Sequence, residues 1–325
     1  MHYGDAVPAI AAGFSNSFVN GQTSAVLTTQ PTCTTAYTTT SNADTSPSTS
    51  CSGAVATNYA FSYVSGAVTI QQANLTIGVT AASVSYPGSP YAGATTCKAT
   101  GVNGEYPAAA LSFQDGSHNA LPGAPTNAGN YYALCSAGGT GTNYVANSNT
   151  AAFTISRVTP AFNNLVTSPI ITFGTTSATL SGYIKYTYNT LTLYPSGSVL
   201  ITLNGVTQSA PINTTNDSFS ASFNTSALTV TAPGPNYGIT YHYGGDTNFN
   251  AASPDGSGTL TVNPAPTSLV TMSSTVQYSD LATLTATVSP VALNGQIVSG
   301  MVTFVINGIS YGPASVNTSG VAKLV

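Results

Sequence analysis

Hydrophobic and polar positions alternate with a period of two through most of the chain, the pattern of half-buried β-strands. Ser198-Val199-Leu200-Ile201-Thr202-Leu203 is one such run, and Asn204-Gly205 closes it. Asn-Gly favours a type I′ turn, because both central residues then take positive φ, so a hairpin is predicted here. Met301-Val302-Thr303-Phe304-Val305-Ile306, followed by Asn307-Gly308, repeats the arrangement about a hundred residues later. Almost no segment has the 3.6-residue period of a helix. Thr, Val, Tyr, Ser and Gly dominate, whereas Glu, Lys and Arg are scarce.

The echo is longer than the hairpin. Thr176-Ser-Ala-Thr-Leu-Ser-Gly precedes the first hairpin, and Leu281-Ala-Thr-Leu-Thr-Ala-Thr precedes the second. A second echo marks the ends of units: Asn58-Tyr59 before Ala67-Val-Thr-Ile, Asn143-Tyr144 before Ala152-Phe-Thr-Ile, and Asn248-Phe249 before Thr259-Leu-Thr-Val. Prolines follow at Thr159-Pro160 and Pro264-Ala-Pro266 and suit stiff joints. Self-similarity of this kind marks a repeat protein. Four units are read: 1–71, 72–157, 158–264 and 265–325. The first begins late and the last stops early against its predecessor, so both terminal units are expected to be incomplete. An incomplete sandwich exposes strand edges, and strand exchange with another copy through them is one expectation.

Composition narrows the class. Hydrophobic residues make up 42% and mean hydropathy is positive, so cores can form and a disordered chain is excluded. Charged residues are only 4%, so solubility rests on neutral polar groups. Lys98, Arg157, Lys185 and Lys323 are the four cations, and they are scattered. Nucleic-acid binding needs clustered cations and is set aside. No apolar run approaches the ~20 residues of a membrane-spanning helix, so membrane insertion is not expected. Met1 is followed by His-Tyr-Gly-Asp, which is neither a charged nor an apolar leader. For a secreted protein, the expectation is then that the true N-terminus lies elsewhere or that the sequence has been trimmed.

The cysteines are Cys33, Cys51, Cys97 and Cys135. No zinc-ligand spacing joins them to a histidine. Of three possible connectivities, Cys33–Cys51 with Cys97–Cys135 keeps each bridge inside one unit and fits an oxidising compartment. Four buried thiols are the alternative.

Tyr241-His-Tyr-Gly-Gly-Asp-Thr-Asn-Phe-Asn, with the Thr-Leu-Thr-Val strand after it, resembles the closing signature of bacterial Ig-like domain repeats. Pro266-Thr-Ser and Gly300-Met-Val-Thr-Phe fit the same family. The first two units resemble MBG-type repeats through Tyr3-Gly4-Asp5 and Ala128-Gly129-Asn130-Tyr131-Tyr132. The resemblance implies tandem immunoglobulin-like β-sandwich domains, an all-β fold, in an extracellular or cell-surface protein. It implies spacer, stalk or adhesive roles and no shared catalytic residue or cofactor.

Candidate chemistry is sparse. Asp246, beside Gly244-Gly245, offers an oxygen ligand for calcium. A hard cation wants six to eight oxygens, and an Asx-type turn is the simpler role. His242 lies between Tyr241 and Tyr243, so alternation sends it to the face opposite both tyrosines. Glu105 and Asp115, with His118 nearby, lie in irregular, Gly-flanked sequence of the second unit. They are the place where a hydrolase site would form, since paired carboxylates support glycoside hydrolysis. Solvation is their simpler role. Tyr186, Tyr188 and Tyr194 lie in an aromatic-rich stretch that offers either a core face or a platform for a polysaccharide or surface ligand. The leading functional reading is a non-catalytic stalk or spacer. A carbohydrate- or surface-binding module and a hydrolase are the alternatives.

Overall fold

The computed structural model describes residues 1–14, 18–231, 234–293 and 295–325. It is almost entirely β, in two compact units, Met1–Arg157 and Val158–Val325.

The N-terminal unit begins with β1 (Thr32–Thr35), β2 (Ser48–Ser52) and β3 (Gly66–Ala67), which form one small antiparallel sheet. There follow β4 (Thr76–Ala81), β5 (Val84–Ser85), β6 (Thr95–Thr100), β7 (Ala109–Asp115), β8 (Gly129–Ala137) and β9 (Asn147–Ser156). β4 pairs with β6, and a second sheet runs β5-β9-β8-β7. Cys97 on β6 and Cys135 on β8 join the two sheets through a disulfide. Cys33 and Cys51 are bonded across the β1–β2 ladder, where they are direct partners.

Among the described residues, part of the buried core of residues 1–71 is shared with the segment that follows. Their buried Tyr3, Tyr37 and Ile70 pack into one cluster with Leu75, Ile77, Ala99, Cys135 and Tyr144 of the following segment. The reason is size. Three short strands cannot bury enough apolar surface alone, so the segment borrows the face of its neighbour. A second cluster stacks Tyr91 on Phe153, ring centroids 4.2 Å apart, over Ala133 and Ile155.

In the C-terminal unit, residues 158–264 build a fuller sandwich. Its strands are β10 (Ala161–Asn163), β11 (Ile170–Thr172), β12 (Ser177–Tyr188), β13 (Leu191–Leu193) and β14 (Ser198–Leu203). They continue with β15 (Val206–Pro211), β16 (Ser218–Asn224), β17 (Tyr237–His242) and β18 (Gly256–Asn263). β12 lies between β10 and β16 in one sheet, and β11-β18-β17-β14-β15 forms the other. Alternation sorts β14 cleanly: Val199, Ile201 and Leu203 are buried and Leu200 is exposed. Asn204 and Gly205 both take positive φ and turn β14 into β15. Tyr241 and Tyr243 are buried and His242 faces out.

Residues 265–325 contribute β19 (Ser268–Met272), β20 (Leu284–Ser289), β21 (Ala292–Leu293), β22 (Gln296–Ile297), β23 (Met301–Ile306), β24 (Ile309–Ser315) and β25 (Val321–Leu324). β19-β20-β25 matches β10-β12-β16 in order, and β23–β24 matches β14–β15. β14 is flanked on both sides, whereas among the described residues β23 pairs only with β24.

A parallel pairing closes each of the first three repeats. His2 bridges Gln71, with Tyr3 N donating to the Gln71 carbonyl at 2.9 Å. Val84 pairs with Ile155. Ile170–Thr172 pairs with Thr261–Asn263. In the second and third repeats a further parallel bridge joins the opening segment to the Asn-aromatic motif: Ala73 to Tyr144, and Val158 to Phe249. That contact accounts for the echo in these two copies, whereas Tyr59 of the first copy pairs with Ala56.

Candidate functional site

The best-formed polar site lies in the N-terminal unit. Glu105 follows a short 3-10 turn, Val102–Gly104, which is held by the Gly101 N–H donating to the Glu105 carbonyl at 2.9 Å. The Glu105 carboxylate accepts the Tyr3 hydroxyl at 2.8 Å on Oε1 and the Tyr144 hydroxyl at 2.5 Å on Oε2. The two tyrosine rings meet edge-on, with centroids 5.5 Å apart. Burial, then the bond to Glu105 and its negative charge, push the Tyr144 hydroxyl up to about 12. The hydrogen bond to Glu105 also raises Tyr3, reinforced by burial. Both phenols are therefore donors throughout the physiological range.

Tyr3-Gly4-Asp5 makes this arrangement possible. Gly4 has φ +83°, and a Cβ there would collide with Val102, so only glycine lets the chain pass beneath the Glu105 turn. The Asp5 carboxylate accepts the His2 N–H at 2.7 Å, and the Tyr37 hydroxyl donates to the Asp5 carbonyl at 2.7 Å. The Asn143 side chain then ties down the 42–45 loop. Its Oδ1 accepts the Ala43 N–H at 2.9 Å, and its Nδ2 lies 3.3 Å from Asn42 Oδ1.

Residues 1–69 match the family model described as the MBG domain, YGX type. That match covers the opening segment, about a fifth of the chain. No curated protein matches the sequence. Among solved structures, a three-immunoglobulin segment of titin is 11% identical, covering 78% of this chain and 87% of that one, with a TM-score of 0.30. A calcium-stabilised adhesin with which an Antarctic bacterium binds ice is 14% identical, covering 86% and 73%, with a TM-score of 0.28. Domains 1–6 of the surface-layer protein SbsC are 14% identical, covering 86% and 43%, with a TM-score of 0.25.

Asp115 and His118 do not join Glu105. β7 stands between them, a seven-residue strand about 20 Å long at ~3.4 Å per residue. Asp115 Oδ1 instead accepts the N–H groups of Ser117 and Asn119 at 2.8 and 2.9 Å, and Oδ2 accepts Asn119 Nδ2 at 2.9 Å. These bonds, that from the Asn119 side chain foremost, hold its carboxyl below the usual carboxylate range. His118 is exposed and stacks on Tyr132, with centroids 4.1 Å apart. The geometry is that of a turn following a strand.

Asp246 is saturated by protein donors. Oδ1 accepts the N–H groups of Asn248 and Phe249 at 2.8 and 2.9 Å. Oδ2 accepts the Ser196 N–H and hydroxyl at 2.9 and 2.7 Å. Burial on its own would raise this carboxyl, but the bonds from Ser196, Asn248 and Phe249 outweigh it and leave the group below its ordinary value. A cation would have to displace four donors, so the residue serves the Asx-type turn and its tie to Ser196.

Tyr186 and Tyr188 lie on β12, paired with Leu193 and Leu191 of β13, and Tyr194 directly follows β13. Tyr186 is half-buried, while Tyr188 and Tyr194 are exposed. Two pairings escape sequence reasoning, because no short-range signal links their members. Lys185 Nζ lies 3.3 Å from Asp217 Oδ2, and His242 Nδ1 lies 3.0 Å from both Asp255 oxygens.

Proposed function

We propose that this chain is a tension-resisting spacer of a secreted or cell-surface protein, non-catalytic in itself and built to present adhesive or binding surfaces. The observation that carries this reading is the recurrent parallel pairing of opening and closing segments: His2 with Gln71, Val84 with Ile155, and Ile170–Thr172 with Thr261–Asn263. Force applied to the two ends of such a repeat pulls these segments in opposite directions along their ladder. Their hydrogen bonds are then loaded together in shear rather than one at a time. Two disulfides support an oxidising, extracellular setting. They also keep part of the N-terminal unit from extending.

Stretching the intact chain between its termini in a single-molecule instrument tests the proposal. Discrete rupture events are expected, with larger extension from the N-terminal unit under reducing conditions. A smooth entropic stretch with no ruptures would rule the reading out.

A further inference from the structure

The Glu105 cluster forms one wall of an open groove of about 770 Å³, within the size range of ligand sites. Asp44, Tyr106 and Asn42 line it together with Glu105, Asn143 and Tyr144. Four of its features point to the same kind of ligand.

Asp44 carries an exposed carboxylate on a backbone held in the left-handed region at φ 61°, with its N–H donated to the Ile70 carbonyl at 2.8 Å. Aspartate is one of the residues that tolerate this region, so the loop can hold its carboxylate at the groove. Glu105 has about four lone-pair positions, of which the two tyrosine hydroxyls occupy two. Its existing partners are hydroxyl groups, the donors a sugar would supply. Tyr106 is 64% exposed, and Lys98 Nζ sits 3.9 Å over one face of its ring. That cation–π contact fixes the ring and leaves its other face for an apolar surface. Finally, a second depression of about 680 Å³ adjoins it: Thr142 lines both, and the small residues Ala109, Ser136 and Ala137 are among the lining of the second.

Carboxylates that accept from vicinal hydroxyls, a carboxamide that both donates and accepts, and an aromatic face for the C–H side of a ring are the requirements of a pyranose. Two carboxylates and no cation among the lining residues disfavour an anionic ligand. The adjoining depression, with its small lining residues, suits further rings of a chain. We propose that this groove is a binding site for a neutral polysaccharide. The site exists only where the MBG-type segment and the following repeat share their core. The proposal goes beyond the spacer reading and does not depend on it.

Affinity electrophoresis of the intact chain tests it, in gels cast with hydroxyethyl-cellulose, soluble starch, dextran or yeast mannan, and with alginate as an anionic control. Retardation by at least one neutral glycan and not by alginate is expected. Tyr106→Ala should weaken it about tenfold or more, as truncating an aromatic anchor does. Asp44→Asn, which keeps a side chain that tolerates positive φ, should also weaken it. Tyr278→Ala, at a fully exposed ring of the other unit, should leave it unchanged. Thermal melts confirm that each variant is folded. Absence of retardation in every neutral gel would overturn the proposal. So would retardation by alginate alone, or retardation that survives both groove substitutions. None of these outcomes bears on the stretching experiment.

Discussion

The Tyr3 hydroxyl donates to Glu105 at 2.8 Å across 102 residues of sequence. This bond, with its partner from Tyr144, fastens the MBG-type segment to the repeat that follows. Tyr3→Phe leaves a part-buried carboxylate one donor short and should cost about 1–3 kcal/mol. Tyr144→Phe should cost a similar amount. The double variant should be less than additive, because both hydroxyls serve one carboxylate. Urea unfolding of the intact chain, followed by tyrosine fluorescence, measures all three. Additive costs would mean that the two hydroxyls act independently.

The two disulfides should differ in value. Cys97–Cys135 closes 38 residues and Cys33–Cys51 closes 18. On loop entropy alone the first is worth about 4 kcal/mol and the second about 3. Cys97 and Cys135 also bridge two sheets over a shared core, whereas Cys33 and Cys51 reinforce a ladder already hydrogen-bonded. Paired Cys→Ala variants, compared by urea midpoint, should show the Cys97–Cys135 variant as the weaker protein.

Acid should weaken the C-terminal unit through Asp246. Its folded pKa lies below its unfolded one, so its contribution is present above about pH 4 and fades as pH falls through the lower folded value. Asp246→Asn should lower the melting temperature at pH 7 and flatten its dependence between about pH 5 and pH 2. On the alkaline side the sign reverses. Burial pushes Tyr241 up to about 12, so its contribution is complete below about pH 10 and is lost as pH rises through 12. Its hydroxyl donates to the Val166 carbonyl at 2.6 Å, a bond the phenolate cannot make. Melting curves of Asp246→Asn and Tyr241→Phe across this range check both limbs.

The local features of the fold were legible in the sequence. Alternation in Ser198–Leu203 and the Asn204-Gly205 turn gave β14, β15 and the facing of Tyr241, His242 and Tyr243, because each depends on neighbours along the chain. Glu105 stood out as a residue, but its partners did not. Tyr3 and Tyr144 lie 102 and 39 residues away, and only the shared core brings them in. The same holds for Asp44, whose significance comes from a loop pinned by Asn143 a hundred residues on. The separation of Glu105 from Asp115 and His118 was equally hidden. Ten residues of sequence look close until β7 is seen to be extended between them.

On the proposed reading, the first three repeats resist tension because their opening and closing strands are parallel and loaded in shear. The third repeat offers the cleanest comparison. Handles attached at Ser168 and Pro264 would pull β11 along β18, whereas handles at Gly197 and Asn213 would peel β14 from β15 one bond at a time. The account predicts a markedly higher rupture force through the first pair of handles than through the second. Equal forces in the two directions would contradict it.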